Sequence, residues 1–154
     1  SSDVCSSDLG SILGLHLGTS RGDIHRAALE AIAYGFRHHF EIFAELGLAI
    51  TNPKVTNGGS KSRLWREILA NVINSEITSI INHPGASFGA AICAGIGTGL
   101  IQDWSYVNGA LESGEKIAPN AKNREIYDER YAQFIETTRT LTGTLHNIAR
   151  SQNG

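Results

Sequence analysis

Short apolar runs alternate with longer segments of helical periodicity along most of this 154-residue chain, and that alternation constrains its fold more than any other feature. Residues 11–15 (SILGL) form an apolar run of strand length. A polar loop with Gly18 and Gly22 follows. Apolar residues then recur at i, i+3 and i+4 (Ile24, Ala28, Ala31, Ile32, Gly35, Phe36, His39, Phe40 and Phe43), which predicts a helix over 23–46 with one buried face. Ser20 and Asp23, three apart, read as a capping box at its start, and Gly47 as its stop. The pattern repeats as a strand at 54–56, a turn at 57–60 (NGGS) and a helix over 62–74. It repeats again as a β-branched strand at 76–81, a Pro84-Gly85 break and a helix over 86–97. Strands alternating with helices predict an α/β fold whose sheet is largely parallel here. Such sheets bind ligands at the carboxyl ends of their strands, so the loops 16–22, 57–61 and 82–87 are the ones to inspect.

The rest of the chain is less regular. A short helix is expected over 103–111, a polar loop with Gly114 and Pro119 over 112–120, and a long helix over 123–149. Tyr127, Tyr131, Phe134, Thr138 and Leu141 give that helix an apolar stripe, and 151–154 are expected to fray. Residues 1–9 (SSDVCSSDL) contain a direct repeat with neither helical nor strand periodicity. They read as a tail foreign to the fold, similar to translated adapter sequence, in which Cys5 has no role.

Composition narrows the function classes. Thirteen basic and fifteen acidic residues leave a net charge of -2, with no electrostatic footprint for nucleic acid or an anionic membrane. The longest strongly apolar stretch, residues 86–101, falls short of the ~20 residues of a spanning helix and is expected to be a buried core helix. Two cysteines make neither a disulfide framework nor a zinc site. Cys93, among apolar residues, reads as an inert core thiol, and the setting is expected to be cytoplasmic. Seventeen glycines exceed the usual share of ~7%, and they are unevenly placed.

The most informative of them lie in Val55-Thr56-Asn57-Gly58-Gly59-Ser60-Lys61-Ser62, where a strand leaves the sheet and a helix begins. Two adjacent residues without Cβ allow a ligand close to the backbone, and the free N–H groups of the next helix can receive an acceptor. Lys61 adds a positive charge. The spacing matches neither GxxxxGK[ST] nor GxGxxG. On spacing alone a plain turn and a nucleotide or anion contact both stand. Trp65 either packs the helix start or stacks near a base. Small residues at 85, 86, 89, 90, 93, 94 and 97 make the next helix nearly bald, for close packing or as a cleft wall. His38 and His39 point about 100° apart on a helix and do not form a two-ligand face. Asp23, His25 and Glu30 fit a helix start, which favours acids, without any acid–base role.

Taken together these residues resemble the FGGY carbohydrate kinases. Gly10-x-Ile12-x-Gly14-Leu15, followed after seven residues by Asp23-Ile24-x-x-Ala27-Ala28-Leu29-Glu30, is similar to that family's second signature. Gly58-Gly59-Ser60-Lys61-Ser62-x-x-Trp65 resembles its glycine loop, and residues 83–99 resemble its Gly-Ala-Ala helix. Order and spacing agree across residues 10–149.

The resemblance implies part of an actin-like ATPase (ribonuclease H-like) C-terminal domain with additional C-terminal helices, over residues 10–150. It implies ATP and Mg2+ as cofactors and transfer of the γ-phosphoryl group to a sugar hydroxyl, a ketopentose such as xylulose or ribulose. Gly58, Gly59, Ser60, Lys61 and Ser62 would hold the adenine and ribose side of ATP. The family's catalytic base, sugar pocket and Mg2+-facing acids match nothing in this sequence. The chain as given is therefore expected to be inactive as a kinase, with no catalytic or metal-ligating residue of its own. Cytoplasmic location and a homodimer of the full-length enzyme are further expectations. The alternatives are a polyol kinase of the glycerol type and a non-catalytic nucleotide-binding or scaffold domain of the same fold.

Overall fold

The computed structural model describes residues 9–81, 83 and 85–152. The expected tail, residues 1–9, lies outside them except for Leu9. The first element is α1 (Arg21–Glu45), and its start is fixed by the expected capping box. Ser20 Oγ accepts the Asp23 N–H at 3.2 Å, and Asp23 Oδ2 accepts the Ser20 N–H at 2.9 Å. Two backbone donors that a helix start would otherwise orphan are thereby satisfied. After α1 come β1 (Lys54–Val55), a single helical turn α2 (Asn57–Ser60), α3 (Arg63–Ile73) and β2 (Ile77–Ile81). Then follow α4 (Ala86–Gly97), α5 (Tyr106–Ala110), β3 (Glu112–Ile117), a 3-10 turn (Ala121–Asn123) and the long α6 (Arg124–Gln152).

The three strands form one sheet in the order β1-β2-β3. β1 runs parallel to β2, with Lys54 opposite Thr78 and Val55 opposite Ser79. β2 runs antiparallel to β3, with Ile77 opposite Ile117 and Ile81 opposite Glu112. The sheet is therefore half parallel and half antiparallel. The core lies where α1, α3 and α6 meet this sheet: Ala33 and Tyr34, then Ile68, Leu69, Ala70 and Val72, then Ile77 and Ile117, then Tyr127 and Tyr131. Each fully buried aliphatic side chain, such as Ile68, Val72 or Ile77, contributes about 1.5–3 kcal/mol by leaving water. Tyr34 sits among Tyr127, Tyr131 and Phe134 at ring-centroid distances of 6.4, 6.1 and 5.4 Å.

Three expectations need correction. Residues 11–15 form no strand, and Ile12, Leu13 and Leu15 are exposed. A strand needs a hydrogen-bonding neighbour, and among the described residues none lies beside this run. Part of the expected polar loop at 112–120 is strand β3. It lies at an edge and only Ile117 is buried, so it carries almost no apolar alternation. Gly114 passes over β2 so closely that a Cβ there would lie 2.7 Å from Ser79 Oγ and 2.9 Å from Ile81 Cγ1, so the glycine is a close approach inside a strand. Finally, α4 is not a buried core helix. Ile92 and Gly95 are buried, but Ala86, Gly89, Ala90, Ala91, Cys93 and Ala94 are exposed, and Cys93 is therefore an exposed thiol. Its small side chains form a face that no described residue covers.

Candidate functional site

β1 and β2 are parallel, so their carboxyl ends open on the same side, where residues 57–61 follow β1 and His83 and Gly85 follow β2. The first of these is the glycine loop. It curls into α2 rather than remaining extended. Asn57 begins the turn with a φ of +64°, in the left-handed region that asparagine tolerates better than most residues. Ser60 Oγ donates to the Asn57 carbonyl at 2.7 Å, which closes the turn. Ser62 then caps α3, its Oγ accepting the Trp65 N–H at 3.3 Å.

The five loop residues do not face one space. Gly58, Ser60 and Lys61 border a polar cavity of about 580 Å³, together with Asn57, Arg66, His83 and Glu115. Gly58 is exposed and nothing lies within 4 Å of where its Cβ would be, so a ligand can approach the backbone there. Gly59 turns the other way. A Cβ on it would lie 3.1 Å from Trp65 Nε1 and 3.3 Å from Cδ1, so the indole rests against the loop from behind. Gly59 and Trp65 border a separate apolar cavity of about 530 Å³ with Phe36, Phe40, Val55 and Leu69. Trp65 is half-buried and packed on the core, as the packing reading expects. Ser62 borders neither cavity, its hydroxyl being engaged as the helix cap.

The polar cavity has a charged wall that the sequence reading did not single out. Arg66, on the buried face of α3, is 8% exposed. Its Nη1 reaches Glu115 Oε2 on β3 at 2.9 Å. The other oxygen of Glu115 receives Arg63 Nη1 at 3.2 Å, while Arg63 Nε reaches Glu67 Oε1 at 2.8 Å. The hydrogen bond to Glu67, aided by the charge of Glu115, raises the Arg63 pKa above its ordinary value. Arg66 Nε is buried without a hydrogen-bond partner among the described residues, and Lys61 forms no ion pair among them. His83 accepts the Gly85 N–H on Nδ1 at 2.9 Å, so its other nitrogen carries the proton when the ring is neutral. The signal for Arg66 was available: a charged residue three before Leu69 and four before Ala70, on the apolar face of a helix, needs a partner. Glu115 was hidden by the unread strand β3.

Size and polarity suit a small ligand with hydrogen-bonding groups, since such pockets run to roughly 300–1,000 Å³ with a few placed polar groups. Among the described residues, no group of three or more His, Cys, Asp or Glu converges so as to hold a metal ion. Those residues therefore supply no such ligand group for Mg2+.

Residues 6–98 match the model of the FGGY family of carbohydrate kinases, C-terminal domain. The chain belongs to this family. It is similar to xylulose kinase of Staphylococcus epidermidis, with 29% identity over 143 residues covering 90% of this chain and 29% of that protein. It is also similar to xylulose kinase of Bacillus subtilis, with 30% identity covering 95% and 30%. Glycerol kinase of Enterococcus casseliflavus is 28% identical over 86% of this chain and 27% of its own length. The crystal structure of xylulose kinase from Rhodospirillum rubrum superposes with a TM-score of 0.74 at 37% identity, covering 86% of this chain and 27% of that one. The chain spans less than a third of the length of these relatives. Among the described residues no helix is long and apolar enough to cross a membrane.

Proposed function

We propose that this chain supplies part of the ATP site of a carbohydrate kinase, in an actin-like (ribonuclease H-like) C-terminal domain over residues 10–150. The observation that carries this reading is the polar cavity at the carboxyl ends of the parallel strands, which gathers Gly58, Ser60 and Lys61 beside a buried arginine. The open backbone at Gly58 receives the adenosine side of ATP, and Lys61 adds positive charge at the rim. Gly59 and Ser62 act from behind: Gly59 makes room for Trp65, and Ser62 fixes the start of α3. The whole enzyme transfers the γ-phosphoryl group to a sugar hydroxyl in the cytoplasm. A ketopentose is the favoured substrate because several relatives are xylulose kinases, with a glycerol-type polyol second.

Phosphoryl transfer needs in-line positioning, a metal and charge neutralisation together. The chain alone supplies donors for the nucleotide, and among its described residues no group of three or more His, Cys, Asp or Glu forms a metal-ligand set. It is therefore expected to bind ATP without turning over. An NMR titration of the 154-residue chain with ATP should shift the Gly58–Ser62 amides, while a coupled ADP-release assay with xylulose stays at background. Unmoved loop amides overturn the ATP site, and ADP release overturns the inactivity.

A further inference from the structure

A further cavity of about 470 Å³ opens between the start of α4 and α5. It shares Asn57 and His83 with the polar cavity, so the two spaces adjoin at the carboxyl ends of β1 and β2. Beyond those two residues its walls are mainly apolar, with Phe88 and Ile92 of α4 facing Trp104 and Val107. One wall is already set: His83 Nδ1 accepts the Gly85 N–H at 2.9 Å, and the His83 ring meets Phe88 edge-on at a centroid distance of 5.8 Å. Trp104 is 61% exposed, so one of the largest apolar surfaces a side chain carries is left open to water beside this space. A sugar, hydroxylated all round, would leave hydroxyls unpaired against such walls. A nucleotide base suits them, since its two faces are apolar and its polar atoms lie at the edge.

We propose that this cavity seats the adenine base of the nucleotide, stacked on Trp104, with the ribose crossing at Asn57 and His83 and the triphosphate running toward Lys61 in the polar cavity. The inference rests on the ATP reading of the loop and adds to it a base subsite on α4 and α5. The two adjoining cavities divide the ligand by its chemistry: apolar walls for the base, polar groups and a cation for the rest. An aromatic side chain binds a base through its flat face, so a ligand without a base gains nothing from Trp104.

The chain has two tryptophans, so Trp65→Phe leaves Trp104 as the single indole, followed through its fluorescence and its N–H resonance in the same titrations as the loop amides. If that variant fails to fold, the two indole resonances of the unsubstituted chain, assigned through Trp104→Leu, give the same reading. ATP and adenosine are expected to change the Trp104 signal, and tripolyphosphate to leave it in place. Trp104→Leu, at an exposed position, should weaken the binding of ATP and adenosine about tenfold, with tripolyphosphate binding and the unfolding midpoint unchanged. Loop amides that move with ATP while Trp104 stays still overturn the base subsite and leave the loop reading intact, as does a Trp104→Leu chain that binds ATP undiminished. A Trp104 response to tripolyphosphate equal to that with ATP also overturns it. If the loop amides do not move with ATP, the loop reading falls and this inference with it, whatever Trp104 does.

Discussion

Two clusters of buried charge, one between α1 and α6 and one between α3 and β3, are equally deep and differently completed. In the first, the Glu30 side chain is 9% exposed. It receives Arg26 Nε at 2.8 Å, the Tyr127 hydroxyl at 3.1 Å and Arg130 Nη1 at 3.4 Å, and the Tyr127 oxygen in turn accepts Arg26 Nη2 at 2.9 Å. In the second, the Arg66 side chain is 10% exposed, with one bond to Glu115 and a spare donor. A groove of about 680 Å³ also borders Glu30, so adjacency to open space does not distinguish the two. Completeness does. The Glu30 oxygens are taken by groups from two helices, which ties those helices together, whereas Arg66 keeps a buried N–H without a partner among the described residues.

The largest expected effect comes from breaking the complete cluster. Glu30→Ala removes the common acceptor of Arg26, Tyr127 and Arg130 and should destabilise the chain by about 3 kcal/mol, at the low end for a buried pair because both arginines are half exposed. Denaturant unfolding reads this as a lower midpoint at constant slope. An unchanged midpoint would show that the cluster does not hold α1 to α6. Any loop response to ATP should survive in the folded fraction.

Next in size is Gly59→Ala. The new methyl meets the Trp65 indole at 3.1 Å, tighter than ordinary contact, and the indole is half-buried and packed on the core. Overpacking of this kind costs about 1–2 kcal/mol, and the indole must shift, changing its fluorescence. Combining it with Trp65→Phe, which removes the crowding ring, should recover most of the loss. If the double variant is no better than the sum of the singles, the two residues are not coupled. Gly58→Ala meets nothing within 4 Å and should leave stability almost unchanged.

A third variant asks what an unpartnered buried polar group costs the fold. The Tyr34 hydroxyl is also buried without a partner among the described residues, in a ring of aromatics. Burial, reinforced by the charge of nearby Glu30, pushes its pKa well up, so it stays a neutral hydroxyl. A neutral group left unpaired is a modest loss, and Tyr34→Phe removes it without a cavity. Stability should stay level or rise by about 1 kcal/mol, with ligand binding unchanged. A marked destabilisation would reveal a partner for that hydroxyl and set it apart from Arg66.

These contrasts also explain what could be read from the residues in advance. The Ser20–Asp23 cap, the Ser62 start of α3 and the Gly47 stop are local devices, so short windows of sequence disclose them. Strand β3 depends on a distant neighbour. Its residues are polar because it lies at an edge, and Gly114 reads as a turn until Ser79 and Ile81 are seen beneath it. Residues 11–15 err in the opposite direction: their apolar character fits a strand, but pairing is a property of two segments. The glycine loop was legible as a site because its chemistry is contiguous. The division of its two glycines between a polar and an apolar cavity was not, nor was the Arg66–Glu115 wall, whose members lie 49 positions apart in the sequence.

The smallest effect concerns acid. Asp128 on α6 joins the same α1–α6 seam as Glu30, with its Oδ1 2.7 Å from Arg37 Nη1 and its Oδ2 2.6 Å from Arg124 Nε. Burial pushes its pKa up, but the hydrogen bonds to Arg37 and Arg124 outweigh that and hold it below the usual aspartate value. Because the folded value is the lower one, the group adds stability above the unfolded pKa of about 3.9 and loses it as pH falls through the folded value. Asp23, held low by the Ser20 backbone and hydroxyl, acts with the same sign at the start of α1. The Asp128 carboxylate is more than a third exposed, so solvent screens the pair and the effect is small. The unfolding midpoint of Asp128→Asn should lie slightly below that of the unsubstituted chain at neutral pH, with the gap constant down to about pH 5 and closing below about pH 4. A gap that persists into strong acid would mean that the asparagine loses packing rather than charge. The seam would then depend on Glu30 and on the contacts of Tyr131 with Glu41 and Arg37 for its polar hold.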